Sequence, residues 1–134
     1  MLGVLRVEAI VVGVAIGALA GAVIFFVLAL LAGATGSETL EGLALTLAVL
    51  MGMAVAGLVA GNMARVNGRF HGSVTALVLA GITVVISRLG GSPTPIPAVL
   101  LLALTAIVIG GVGGTYGYRR RYNEDSSSPD DRGG

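Results

Sequence analysis

The chain has 134 residues, of which 55% are apolar and only 11% charged, with a net charge of +1. A soluble domain carries roughly 25% charged residues, so this composition excludes a surface meant for water alone. It contains no cysteine, which excludes disulfides, thiolate metal sites and cysteine nucleophiles.

Four apolar runs take up most of the chain, and about 20 helical residues cross a hydrocarbon core of roughly 30 Å. The first span is expected over about 9–31. It is too long for the apolar region of a cleaved signal peptide, and further spans follow it. A short glycine-containing loop leads to the second span, about 38–65. There Ser37 is an expected N-cap, and Glu38 and Glu41 sit at the positive end of the helix dipole. A tight basic link, Val66 to Phe70, precedes the third and shortest span, about 71–88. The run from Gly90 to Pro97 holds three alternating prolines and cannot be regular helix. Pro95 or Pro97 then serves as an early position of the fourth span, about 97–118, where a missing N–H costs nothing. Residues 123–134 are polar and are expected to form a disordered cytoplasmic tail.

The expected fold is therefore all-α: a polytopic membrane protein whose residues 1–122 form four transmembrane helices, arranged as two tandem helical hairpins. A faint internal repeat supports the hairpins. Gly13, Gly17 and Gly21 align with Gly72, Ala76 and Ala80, and the run from Ala56 to Arg65 resembles the run from Gly110 to Arg119. Both halves start on the same side, so the repeat is parallel.

Arginine placement sets the orientation, because cytoplasmic loops collect Arg and Lys. Arg6, Arg65, Arg69, Arg119, Arg120 and Arg121 fall on one side, and Arg88 falls alone on the other with Glu38 and Glu41. Both termini are accordingly expected in the cytoplasm, with the protein in a bacterial cell membrane. Arg65, Arg69 and Arg119 to Arg121 read as interface anchors, with Tyr118 and Tyr122 beside the last cluster. The lipid bilayer is the expected partner. Anionic lipids, a homo-oligomer or a larger membrane complex are further candidates, and nucleic acid is not expected.

The strongest pattern is a small residue at every fourth position. Gly13, Gly17 and Gly21 mark the first span. Ala44, Ala48, Gly52, Ala56, Ala60 and Ala64 mark the second, with Gly57 and Gly61 beside them. Gly68, Gly72, Ala76 and Ala80 mark the third, and Ala106, Gly110 and Gly114 the fourth, with Gly113 and Gly117 beside them. In lipid, small residues let helix backbones approach, and packing replaces the missing hydrophobic drive. Such faces serve either oligomerisation or packing within one bundle. Their presence on every span favours the bundle. The stripe of the second span winds far enough around its helix to need two neighbours, so that span is expected at the centre.

No catalytic, cofactor or metal site is legible. Charged residues fall at span ends rather than at mid-membrane depth, where they would mark function. Asn62, Ser73, Thr75, Thr83 and Thr105 are the polar residues within spans, and backbone carbonyls are their expected partners. Asn62 and His71 are the weak functional candidates, clustered with Arg65, Asn67 and Arg69 at one end of the central hairpin. His71 is the only histidine and has no second ligand near it in sequence. It reads as a satisfied interfacial imidazole, whose replacement would leave folding and metal content unchanged.

The stretch from Ala56 to Gly81, with Gly57 and Gly61 before a basic turn and Gly68, His71 and Gly72 in a Gly-x-x-His-Gly motif, resembles an uncharacterised bacterial family of four-helix membrane proteins. The resemblance implies a fold and no activity. Small multidrug exporters share the span count but need an indole and an acidic residue inside the first span. Glu8 lies at the edge here, and tryptophan is absent. The expected function is non-enzymatic, a small membrane subunit, stabiliser or stress-related factor that acts by helix association. An oligomeric small-solute transporter or pore is the alternative.

Overall fold

The computed structural model describes residues 6–64, 66–92 and 94–126. These form α1 (Val7–Thr35), α2 (Glu38–Met63), α3 (Gly68–Leu89) and α4 (Ile96–Ser126). The described residues contain no strand, and each helix is long and apolar enough to cross a membrane. Even α3, the shortest with 22 residues, rises about 33 Å at 1.5 Å per residue, so the chain is a multi-pass membrane protein.

Local chemistry sets the helix ends. Gly36 takes the left-handed conformation, with φ of 66°, and donates its N–H to the Ala32 carbonyl, which closes α1. One residue later the Ser37 hydroxyl accepts from the Leu40 N–H, with Glu38 and Glu41 in the first turn of α2. Pro97 is the second residue of α4, where no intrahelical N–H is needed. Among the described residues Asn67 is the non-glycine residue with positive φ, 52°, and sits immediately before α3. An asparagine tolerates that region better than most residues.

The start of α3 and the end of α4 move from where they were expected. Gly68, Arg69 and Phe70 belong to α3 rather than to the link, which shrinks the connection and puts Gly68, His71 and Gly72 on one helix. At the other end α4 continues through Asn123 to Ser126, four residues into the expected tail. Pairs at i,i+4 spacing, Arg120 with Glu124 and Arg121 with Asp125, lie along that extension. Residues 127–134 lie outside the described residues, as does Arg65.

Helix α2 is the central element and touches all three others, one more than its small-residue stripe required; α1 and α4 do not meet. Of its most apolar stretch α2 buries 39% and α1 only 6%, which makes α1 the peripheral helix. The core collects small and flexible side chains, Met53, Ala56, Ala76, Leu79, Ala80 and Ala106. Bulky Val, Leu, Ile and Phe side chains point outward along every helix. That inside-out pattern suits lipid, where a leucine gains little by turning inward and a small residue gains close packing.

The two hairpins use corresponding residues. A Cβ on Gly13 of α1 would stand 2.9 Å from the Ala56 carbonyl oxygen and 3.1 Å from the Ala60 Cβ. A Cβ on Gly72 of α3 would press on the Gly110 carbonyl oxygen and stand 2.8 Å from the Gly114 Cα. The sequence repeat equates Gly13 with Gly72, Ala56 with Gly110 and Ala60 with Gly114. The second hairpin has glycine on both helices where the first has alanine on α2.

Candidate functional site

Two regions hold the residues singled out by sequence: the glycine faces along the helices and the polar group at the arginine-rich end.

The glycines divide into distinct interfaces. Gly17 and Gly21 of α1 face Gly52 and Ala48 of α2, with virtual Cβ distances of 2.7 Å from Gly17 to the Gly52 carbonyl oxygen and 3.1 Å from Gly21 to that of Ala48. On the other side of α2, Gly57 meets Gly110, whose carbonyl oxygen and Cα would lie 2.6 and 2.8 Å from an added Cβ. Gly61 meets Gly114 in the same way, one turn along. Gly110 and Gly114 are pinched a second time by Gly68 and Gly72 of α3, so α4 is clasped by backbone on two sides. Sequence reasoning placed Gly113 and Gly117 only beside the α4 stripe. An added Cβ on Gly113 would stand 2.7 Å from the Ala54 carbonyl oxygen, and one on Gly117 would stand 2.8 Å from the Asn62 nitrogen. Gly33, Gly42 and Gly81 have open space where a side chain would go.

At the arginine-rich end, both ring nitrogens of His71 have partners, but the residue lies deeper in the bundle than the sequence suggested. It is 1% exposed, inside the bundle rather than at its surface. Its Nε2 accepts the backbone N–H of Arg6 at 3.2 Å, and Nδ1 lies 3.3 Å from the Asn67 carbonyl oxygen. With Nε2 as acceptor, Nδ1 carries the proton and donates it to that carbonyl. Thr75, also buried, donates to the His71 carbonyl at 2.7 Å. Phe70 sets its ring edge-on to the imidazole at 6.3 Å. Burial follows from position, because His71, Thr75 and Leu79 lie one residue before Gly72, Ala76 and Ala80. Both rows turn toward the core.

The other polar residues scatter. Asn62 is exposed on α2, and its carbonyl accepts from Arg121 Nη1 at 3.2 Å, which ties α4 to the C-terminal turn of α2. No hydrogen bond links Asn62 to His71 among the described residues. Ser73 donates across to the Ile107 carbonyl of α4 at 2.9 Å, while Thr83 and Thr105 bond to carbonyls of their own helices. Among the anchors, Arg120 and Arg121 are engaged with Glu124 and Asp125, and Tyr118 packs the base of its side chain on Gly68. Arg69, Arg119 and Tyr122 are exposed.

Among the surface grooves, two lie between membrane-spanning helices. One, about 250 Å³, lies between α1 and α3 over α2 and is lined by apolar atoms of Phe25, Val49, Leu79 and Ile82 among others. The second, about 380 Å³, runs between α3 and α4 with Arg69 and Tyr116 at its mouth. Among the described residues no three His, Cys, Asp or Glu side chains come together in a group able to hold a metal ion. Neither a known protein family, nor a characterised protein, nor a solved structure matches this chain.

Proposed function

We propose that this protein is a small, non-enzymatic component of a bacterial cell membrane that acts by helix association, as a subunit, stabiliser or stress-related factor, with both termini in the cytoplasm. The observation that carries the reading is the contrast between α1 and the rest. Of its most apolar stretch α1 buries 6% against 17–39% for the other helices, and beyond the glycine face that packs on α2 it leaves Val12, Ile16, Leu19, Val23 and Phe26 facing outward. A partner in the membrane is met most easily on that helix, and bulky apolar side chains give it area for packing. Arg6, Arg69 and Arg119 to Arg121 lie at the end where α1 begins and α3 starts, with Arg88 opposite, which supports the cytoplasmic orientation.

Affinity purification of the tagged chain from its native membrane tests this reading. The expected result is a stoichiometric membrane partner that dissociates when Ile16 and Val23 are replaced by alanine. Recovery of the chain alone would contradict it. If the reconstituted chain instead conducted small solutes into liposomes, the oligomeric pore would replace it.

A further inference from the structure

We propose that the groove between α3 and α4 binds one anionic phospholipid, with its phosphate on the Arg69 guanidinium and an acyl chain along the apolar face of α4. Four observations converge on it. First, Arg69 stands on the first turn of α3 and leans over α4: an added Cβ on Gly111 would lie 3.5 Å from its Cγ and 3.8 Å from its Nε. The missing side chain at Gly111 leaves room for the arginine stem to lie against the helix. Second, Ser73, one turn deeper, bonds to the Ile107 carbonyl and closes the floor of the groove. Third, the walls change character with depth. Arg69 and the 69%-exposed Tyr116 stand at the mouth, and Ile107, Val108 and Val112 line the rest. Fourth, the charge is uncompensated. No carboxylate lines the groove, and Arg69 has no ion pair among the described residues, whereas Arg120 and Arg121 have theirs.

The chemistry follows from that layout. A guanidinium presents paired N–H donors that match two phosphate oxygens, and such charge-assisted bonds are about twice as strong as neutral ones. A phenolic O–H nearby adds a donor. The apolar wall offers nothing to a small soluble anion and everything to a hydrocarbon chain, so the occupant is a lipid. The site is separate from the arginines of α4 and does not depend on the functional reading above.

Native mass spectrometry of the purified chain tests it, with phosphatidylglycerol and phosphatidylcholine of identical acyl chains titrated separately. The expected result is one phosphatidylglycerol retained per chain, about tenfold tighter than phosphatidylcholine, from the strength of charged hydrogen bonds. Arg69→Gln abolishes that preference, and Val108→Trp, which fills the groove from an exposed position, weakens retention of both lipids. Arg120→Gln leaves everything unchanged, and glycerol phosphate does not displace the lipid. Equal retention of the two lipids, or a preference that survives Arg69→Gln, overturns the proposal. So does retention that Val108→Trp leaves untouched, loss of the preference in Arg120→Gln, or displacement by glycerol phosphate.

Discussion

The backbone N–H of Arg6 donates to Nε2 of His71, which ties the residue before α1 to the first turn of α3. Because His71 is buried and its Nδ1 faces the Asn67 carbonyl, the imidazole joins the chain's start, the α2–α3 link and the core. The interfacial reading let this residue be removed without effect; burial reverses that expectation. His71→Ala leaves a cavity and removes the partner of the Arg6 N–H, while the Asn67 carbonyl keeps the N–H bonds of Phe70 and His71, and is expected to lower stability by about 2 kcal/mol. Phe70→Ala, at a half-exposed neighbour, should change it by roughly 0.5 kcal/mol. Thermal unfolding of both variants in one detergent checks the difference.

Ser73 makes the hydrogen bond between α3 and α4, and Thr105 bonds within α4 alone. Interhelical bonds in membrane bundles average about 0.6 kcal/mol. Ser73→Ala should therefore destabilise by about that amount, and Thr105→Val should have almost no effect. Equal losses in the two variants would mean that the Ser73 bond does not link the helices.

The last turns of α4 depend on Arg120–Glu124 and Arg121–Asp125, with side chains largely in solvent. Replacing Glu124 and Asp125 together by alanine is expected to speed amide exchange from Arg121 to Ser126 without moving the unfolding temperature. The same fraying should appear in the unaltered chain at high salt, because exposed pairs are screened.

Much of this architecture is legible in the sequence because it rests on local or periodic signals. Apolar runs of bilayer length, Ser37 ahead of two glutamates, and glycines at every fourth position are each readable from neighbouring residues. Which helix a glycine meets is not. The stripes of Gly57, Gly72 and Gly110 are alike, and only the assembled bundle sets Gly110 between the other two. The burial of His71 within the bundle was missed, although its spacing to Thr75 and Leu79 marks a buried row. Asn123 to Ser126 were assigned to the tail from composition, although Arg120-x3-Glu124 and Arg121-x3-Asp125 are helix-supporting pairs visible in the sequence. The groove at Arg69 could not be read at all, since it needs Gly111 of another helix beneath the arginine.

Orientation has its own test. Cysteines introduced at Ser37 and Ser92, in the two connections at one end of the bundle, should react with an impermeant reagent added outside intact cells. A cysteine at Val66, in the exposed link at the other end, should react only after lysis. Labelling of Val66→Cys from outside would reverse the orientation drawn from the arginines.

The account rests on close backbone approach at glycine faces, and a matched pair of substitutions tests that most directly. Gly61→Leu drives a side chain into Gly114, whereas Gly81→Leu enters open space on the neighbouring helix. Thermal unfolding of the two variants at several dilutions in one detergent isolates packing from propensity. Gly61→Leu should lose at least the 1–3 kcal/mol typical of overpacking, roughly, and lose it at every dilution. Gly81→Leu should hold or gain up to about 1 kcal/mol from better helix propensity. If the two variants unfold at the same temperature as the unaltered chain, or if both fall equally, the glycine faces do not hold this bundle together.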